Sequence, residues 1–328
     1  MISVFSYVLF FFVSGVKMDI GMIKRTGRKA LFTGVACMLS PLLIGLLVQM
    51  KLRSMWLKDE EAYILPFLTI IHCQTPFPVL ASLLEELKIL NSELGRLGLS
   101  AALVSDFLTF VINTCVGLVR TKQVQGIVLA VIKLGAAIVY IIVVVFAIRP
   151  AMFWVIRQTP EGRPVKDTYV YTTMLMVLGS GYLSHLLGQT LLFGVFVMGL
   201  AVPDGPLLGS TIVNKLNCFI SYVFVPILVT TCGMRTDLSL IKFDNKFMTA
   251  NGILVVLTFV AKLVACLVPL LYSKMPLNDA LTLALLLSCK GVIQLSSYAF
   301  LYDSQVIISS ISFLHFFLAL NIPNRRAK

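Results

Sequence analysis

Residues 97–112 read LGLSAALVSDFLTFVI, which places one acid in the middle of an apolar segment long enough to cross a bilayer. Asp106 is the only carboxylate between Glu93 and Glu161. A charged group at the centre of a membrane helix costs about 3 kcal/mol on insertion scales, so such a residue is a candidate ion or proton site by default. Asp106 is therefore the first candidate for binding a proton or a cation.

The composition is that of a helical membrane protein. The chain has 328 residues, of which 58% are hydrophobic and 13% are charged, whereas soluble domains carry about 25% charged residues. Its apolar runs are apolar on every face, which favours helices over a barrel. We predict an all-α polytopic protein of about 11 spans, near 1–16, 29–50, 63–84, 97–119, 124–148, 168–187, 189–202, 216–233, 247–272, 279–301 and 305–322.

The segments 168–187 and 189–202 are separated by little more than Gly188, so they are either two short spans or one re-entrant unit.

If eleven spans alternate, sixteen Lys and Arg fall on one side of the membrane and eight on the other. This bias is a topology signal that puts the richer side in the cytoplasm. The net charge of +12 therefore predicts a lipid bilayer as partner and no nucleic acid.

A short pattern occurs twice and suggests an internal repeat. Gly-apolar-cation-x-Asp stands at 15–19 and again at 233–237, each time before a basic loop, a long apolar helix, an interrupted helix and one more span. Seven predicted spans separate the two turns, an odd number, so the repeat would be inverted, as in secondary transporters. We predict one transmembrane domain over 1–328, with repeat one at about 1–119, connecting helices at about 124–202 and repeat two at about 216–322.

The third predicted span contains a helix break. Pro76 and Pro78 lack N–H groups and clash with the preceding turn, which frees backbone carbonyls near Gln74. In lipid such a break is tolerated only against protein or a water-filled cavity, and Thr75 adds a hydroxyl. The alternative is a simple proline kink. The pattern suits a cation site with Gln74 and Thr75 among its ligands.

Two further residues complete the candidate site. Ser105 offers a neutral oxygen beside Asp106, and hard alkali cations prefer oxygen ligands. A proton and a monovalent cation could then compete for one carboxylate, which antiport requires.

Lys290 lies mid-span, where it either pairs with a carboxylate or caps freed carbonyls, and Gly291 would permit a helix break or a close crossing. Lys262 is a weaker candidate. The seven Cys show no metal-ligand spacing, so we expect no cofactor besides the transported ions.

Several longer motifs point to a known family. They are VKMD at 16–19, RTGRKA at 25–30, TPFPVLA at 75–81, ELKILNSELGR at 86–96, GVFVMGLAVPDGPLLG at 194–209 and Lys290-Gly291. Together they resemble the plant cation/H+ exchanger family, part of the monovalent cation:proton antiporter 2 group. The resemblance spans nearly the whole chain.

The resemblance implies a fold and a mechanism. The expected fold is sodium/proton-antiporter-like, with a dimerising scaffold and a core of two crossed broken helices. The expected activity is exchange of K+ or Na+ for protons by alternating access, in ion and pH homeostasis at the plasma membrane or an endomembrane. The family pattern would make Asp106 the cation- and proton-binding acid, Thr75 part of the unwound crossing and Lys290 the buried lysine of the second broken helix. A homodimer is expected.

Two departures from the family pattern bear on activity. The family usually has Asn-Asp where this chain has Ser105-Asp106. It also has further spans at its start and a long cytoplasmic tail, so the chain is expected to be truncated at the N-terminus and to lack the tail. An inactive fragment and a passive cation channel are therefore the alternatives to an antiporter. An enzyme is not expected, because one buried carboxylate does not make an aspartyl dyad.

Overall fold

The computed structural model describes residues 2–18, 27–56, 65–158, 166–203, 208–234 and 246–291, together with Gln294, Ser297 and Tyr298. The described backbone consists of helices and their connecting turns, and no strand occurs within it. This confirms the predicted all-α class. The helices are α1 (Ile2–Lys17), α2 (Arg28–Trp56), α3 (Leu65–Cys73), α4 (Phe77–Glu86), α5 (Glu93–Gln125), α6 (Ile127–Val143), α7 (Arg149–Gln158), α8 (Asp167–Leu186), α9 (Leu191–Ala201), α10 (Leu208–Phe219), α11 (Val225–Met234), α12 (Lys246–Tyr272) and α13 (Leu277–Ser288).

Nine of the eleven predicted segments coincide with helices, 279–301 coincides with α13 only as far as Ser288, and 305–322 lies outside the described residues. The doubtful pair forms two separate helices, α8 and α9, joined by a turn in which Gly188 has a φ of 75°. Two π-helical turns, Val144–Ile148 and Ile220–Phe224, join α6 to α7 and α10 to α11. The predicted spans near 124–148 and 216–233 are therefore parts of longer helical stretches.

Six helical stretches in the described residues are long and apolar enough to cross a membrane. They are Arg28–Ser54, Leu65–Glu86, Glu93–Val119, Ile127–Trp154, Leu208–Thr231 and Thr249–Tyr272. Shorter apolar helices include Leu191–Ala201 and Leu277–Ser288. The protein is thus a multi-pass integral membrane protein, and the total of eleven spans stays a prediction.

The chain forms two compact units. The first comprises Met1–Asp19 and Phe110–Leu228. Within it α1 packs closely on α9, because Gly15 and Gly199 have no side chains at the contact. A Cβ on Gly15 would lie 2.9 Å from the carbonyl oxygen of Phe196. Phe110 stacks on Phe196 with ring centroids 3.9 Å apart. The predicted domain and repeat boundaries stay predictions.

The second unit comprises Ile20–Thr109 and Val229–Lys328. Its centre is the long contact between α2 and α12, and α3 packs on both helices. Large apolar side chains such as Met38, Leu68 and Leu254 are fully buried there. α13 packs on α12. This unit contains every predicted site residue.

Two interrupted helices lie in the second unit. α3 ends at Cys73, and the helix resumes as α4 after Pro76, whose backbone is extended. Pro78 lies in the first turn of α4, where its missing N–H costs no hydrogen bond. α13 ends at Ser288, the backbone is non-helical to Gly291, and it is helical again at Gln294. The turns that suggested the repeat end at Asp19 and Asp237, which lie outside the described residues.

Candidate functional site

The carboxylate of Asp106 lies at the beginning of α4. Asp106 is a partly buried residue of α5, and its Oδ2 accepts a 2.9 Å hydrogen bond from the backbone N–H of Phe77. Phe77 is the first residue of α4. The first N–H groups of a helix have no partner within that helix, and its dipole favours negative charge at that end. The helix break therefore supplies a donor and a favourable potential for the acid.

Two hydroxyl groups come from residues beside this contact in the sequence: Ser105 precedes Asp106, and Thr75 lies two positions before Phe77. Ser105 Oγ donates to Thr75 Oγ1 at 3.2 Å, and both side chains are almost wholly buried. Thr109, one turn further along α5, donates to the carbonyl oxygen of Ser105 at 2.9 Å. The structure thus joins Ser105 to Thr75 by their hydroxyls, and Asp106 to the break through Phe77. Hydroxyl and carboxylate oxygens are suitable ligands for hard cations.

Gln74 contributes an unusual atom to the break. Its side chain is 7% exposed, and its Oε1 is buried without a hydrogen-bond partner among the described residues. A buried acceptor that lacks a partner costs about 1–3 kcal/mol, so it is rarely left without a use. An oxygen of this kind could serve as a ligand for a bound cation.

Two lysines cap the carbonyls that the break sets free. Lys262 of α12 is fully buried, and its Nζ donates to the carbonyl oxygens of Cys73 at 2.9 Å and Gln74 at 2.7 Å. Lys290 donates to the carbonyl oxygen of His72. These carbonyls form the C-terminus of α3, where the helix dipole favours cations. Of the two roles considered for Lys290, the structure has carbonyl capping, and no ion pair joins it to Asp106 in the described part of the chain.

Lys262 has a larger role at the break than its rank as a weaker candidate predicted. It lies near the middle of a 27-residue apolar helix, too far from either end for its ammonium to reach the interface easily. That position was the available signal. Its partners are main-chain atoms 188 and 189 positions away, and no sequence pattern identifies them.

The second break is joined to the first. Gln294 Nε2 donates to the carbonyl oxygen of Gln74 at 2.9 Å, and Gln294 Oε1 accepts from the N–H of Gly291 at 2.8 Å. A Cβ on Gly291 would lie 2.9 Å from Cγ1 of Val79, so the backbone approaches α4 closely at this glycine. Sequence reasoning did not select Gln294, which carries one hydrogen bond to each broken segment.

His72 also lies at the break, although no sequence pattern singled it out. The imidazole is 3% exposed; its Nδ1 is 2.7 Å from Tyr298 Oη and its Nε2 is 3.4 Å from Asn251 Oδ1. Within the described residues no group of three His, Cys, Asp or Glu could hold a metal ion. A cation at the break would therefore depend on the carboxylate, the hydroxyls and the amide oxygen described above.

Comparisons with known proteins agree with this architecture. The chain is 36% identical to cation/H(+) antiporter 3 of Arabidopsis thaliana over 91% of its own length and 38% of that relative. It is 34% identical to cation/H(+) antiporter 15 of the same plant, over 87% of this chain and 34% of the relative. The chain thus spans little more than a third of the length of these curated relatives.

A solved structure shows the same fold. The sodium proton antiporter MjNhaP1 from Methanocaldococcus jannaschii superposes with a TM-score of 0.62, covering 97% of this chain and 80% of that one at 16% identity. This identifies the fold as the sodium/proton antiporter type. The family described as "sodium/hydrogen exchanger, transmembrane" matches residues 1–321. By that match over nearly its whole length, the chain belongs to the transmembrane sodium/hydrogen exchanger family.

Proposed function

We propose that this chain carries out secondary active exchange of a monovalent cation, K+ or Na+, for protons across a membrane by alternating access. The observation that supports this most directly is the position of Asp106, whose carboxylate accepts the Phe77 N–H at the start of α4. Ser105, the chain neighbour of Asp106, donates a hydrogen bond from its hydroxyl to that of Thr75. A single carboxylate can hold a proton or a cation but not both fully, so loading one releases the other.

The residues at the break would have two separate roles, ion binding and stabilisation of the backbone. Asp106 binds the cation or the proton, and Ser105, Thr75 and the free Oε1 of Gln74 supply neutral oxygens to the cation. Lys262 and Lys290 are bonded to main-chain carbonyls of the break. They stabilise the non-helical backbone there, which has no water to bond in a bilayer.

The setting of the activity is also a proposal. The relatives are named cation/H(+) antiporters, and we extend that activity to this chain because it has the same family membership and the acid at the break. We further propose that it works as a homodimer in the plasma membrane or an endomembrane. Transport of this kind needs no catalytic residue and no cofactor beyond the ions themselves.

Proton flux in liposomes tests the proposal. Purified chain is reconstituted with a pH-sensitive dye inside, and a K+ or Na+ gradient is applied to wild type, Asp106→Asn and the control Glu93→Gln. Glu93 is an exposed acid in the first turn of the same helix, α5. We expect cation-dependent proton flux in wild type and in Glu93→Gln, and none in Asp106→Asn.

Other outcomes distinguish the alternatives. Proton-coupled flux that survives in Asp106→Asn contradicts the proposed role of this acid. Cation conductance without proton movement favours a passive channel. No flux from any of the three chains favours an inactive fragment, and fusion of the preceding spans of a relative then shows whether activity can be restored.

A further inference from the structure

Two thiols from distant parts of the chain meet in the second unit. Cys37 of α2 and Cys266 of α12 are 229 positions apart, and their sulfur atoms are 2.6 Å from each other. Both side chains are fully buried, and both are free cysteines. The two sulfurs belong to the two helices that make the central contact of this unit. A bond between them would tie those helices together.

The thiol pair lies next to the candidate cation site. Cys37 Sγ is 3.8 Å from the hydroxyl of Thr75, which is hydrogen-bonded to Ser105. Cys266 follows Lys262 by four positions on α12, so both side chains lie on the same face of that helix. A change in the distance between α2 and α12 at the thiol pair would therefore shift the positions of both Thr75 and Lys262.

We propose that Cys37 and Cys266 are a covalent modification site, at which a hydroperoxide forms a reversible disulfide that fixes α2 to α12 beside Thr75 and Lys262 and so impairs transport. The effect on transport rests on the proposed function, whereas formation of the bond does not. This is one reversible cross-link between core helices and differs from the structural disulfide frameworks of small secreted proteins.

The chemistry balances with hydrogen peroxide as the oxidant. One thiol, as its thiolate, attacks a peroxide oxygen; the O–O bond breaks, a sulfenic acid forms and the first water leaves. The second sulfur then attacks the sulfenic sulfur, the S–O bond breaks and the second water leaves. Two thiols lose two protons and two electrons, and one peroxide becomes two waters. A dithiol such as dithiothreitol reverses the reaction by exchange.

A groove runs along the two helices that carry the pair. It lies between α2 and α12, has a volume of about 520 Å³ and is lined by Ala36 and Ala265, the chain neighbours of the two cysteines, along with Ser40, Ala261 and Val264. Hydrogen peroxide is small and uncharged, so an apolar groove does not exclude it by charge. By contrast, the thiols of Cys115 and Cys218 are exposed.

Peptide mapping tests the cross-link without any transport assay. The reconstituted full chain is treated with hydrogen peroxide, denatured, alkylated and digested without reductant, and Cys115 reports whether the oxidant was sufficient. We expect a Cys37–Cys266 peptide pair that has lost two hydrogens, that disappears with dithiothreitol and that is absent from Cys37→Ser and Cys266→Ser. If both thiols remain alkylatable at a dose that consumes the Cys115 thiol, the proposal is wrong.

Proton flux tests whether the Cys37–Cys266 disulfide stops transport, an effect called locking here. We expect peroxide to abolish most of the flux of wild type, dithiothreitol to restore it, and the flux of Cys266→Ser to be insensitive to peroxide. Equal flux from reduced and cross-linked wild type contradicts the locking. Absence of flux from the reduced protein is a failure of the proposed function, and the peptide map still decides whether the thiols pair.

Discussion

Lys262 and Gln74 are 188 positions apart, and the buried ammonium of Lys262 donates a 2.7 Å hydrogen bond to the main-chain carbonyl of Gln74. A lysine buried in a membrane helix needs acceptors, because its charge is costly in the bilayer. A broken helix needs donors, because its free carbonyls cannot bond water there. Each group therefore removes the energetic penalty of the other, so the break and the lysine stabilise the fold as one unit.

Replacement of Lys262 by Met should destabilise the protein. The carbonyl of Cys73 loses the Lys262 donor, while that of Gln74 keeps its bond from Gln294. A buried acceptor without a donor costs about 1–3 kcal/mol. We expect a lower unfolding temperature in detergent, measured by intrinsic fluorescence. Lys246→Met on the exposed start of the same helix is the control and should unfold as wild type does. Equal unfolding temperatures for both variants would contradict the capping role.

Replacement of Gln74 by Met should affect cation binding more than stability. The Oε1 atom has no hydrogen-bond partner among the described residues, so its removal breaks no bond of the fold. If it is a cation ligand, the apparent cation affinity falls while the unfolding temperature stays within a few degrees of wild type. The measurement is the cation concentration that gives half-maximal proton flux. An unchanged value would remove Gln74 from the ligand set.

Replacement of Gly291 by Ala should disturb the crossing of the two breaks. The new Cβ would lie 2.9 Å from Cγ1 of Val79, and the β-branched side chain of Val79 cannot easily turn away. Overpacking of this kind typically costs about 1–3 kcal/mol. We expect a lower unfolding temperature and weaker proton flux.

A second substitution should relieve that clash. Val79→Ala added to Gly291→Ala removes the opposing methyl groups, and we expect partial recovery of the unfolding temperature. Gly252→Ala is the matched control in α12, because a Cβ there meets no atom within 4 Å. It should be neutral or stabilising by about 0.5–1 kcal/mol. If Gly291→Ala behaved like this control, the close approach would not matter for folding.

The hydroxyl pair of Ser105 and Thr75 should behave as one unit. A double-mutant cycle with Ser105→Ala and Thr75→Val, read as half-maximal cation concentration, should give a coupling of about 1 kcal/mol, which corresponds to about a fivefold departure from additivity. The control pairs Ser105→Ala with Thr282→Val, an exposed hydroxyl on α13, and should be additive. Additivity in both cycles would show that the Ser105–Thr75 bond does not contribute to cation binding.

Local signals in the sequence predicted the helices and the break at Pro76 well. Apolar runs of membrane-spanning length are sufficient to locate helices, and Pro76 marks a break because of its own backbone chemistry. Asp106 was selected because an acid is costly in such a segment. These properties belong to single residues and their immediate neighbours. For that reason they required no knowledge of tertiary contacts.

Other features depend on contacts across the fold, and the sequence did not predict them. Gln294 reaches the carbonyl of Gln74 over 220 positions, and Cys37 meets Cys266 over 229. Hydrophobic periodicity carries no information about such pairs. The predicted helix at 97–119 also extends to 93–125, because polar residues at both ends continue the helix beyond its apolar part.

Three side-chain donors at the first break bind main-chain carbonyls. Lys290, Lys262 and Gln294 recognise oxygens that every amino acid possesses, so the side chains at Cys73 and Gln74 can change without loss of these bonds. Ion preference can therefore be altered, by evolution or in a randomised library, while the scaffold of the crossing stays intact. Such a separation lets one architecture serve transporters of different selectivity.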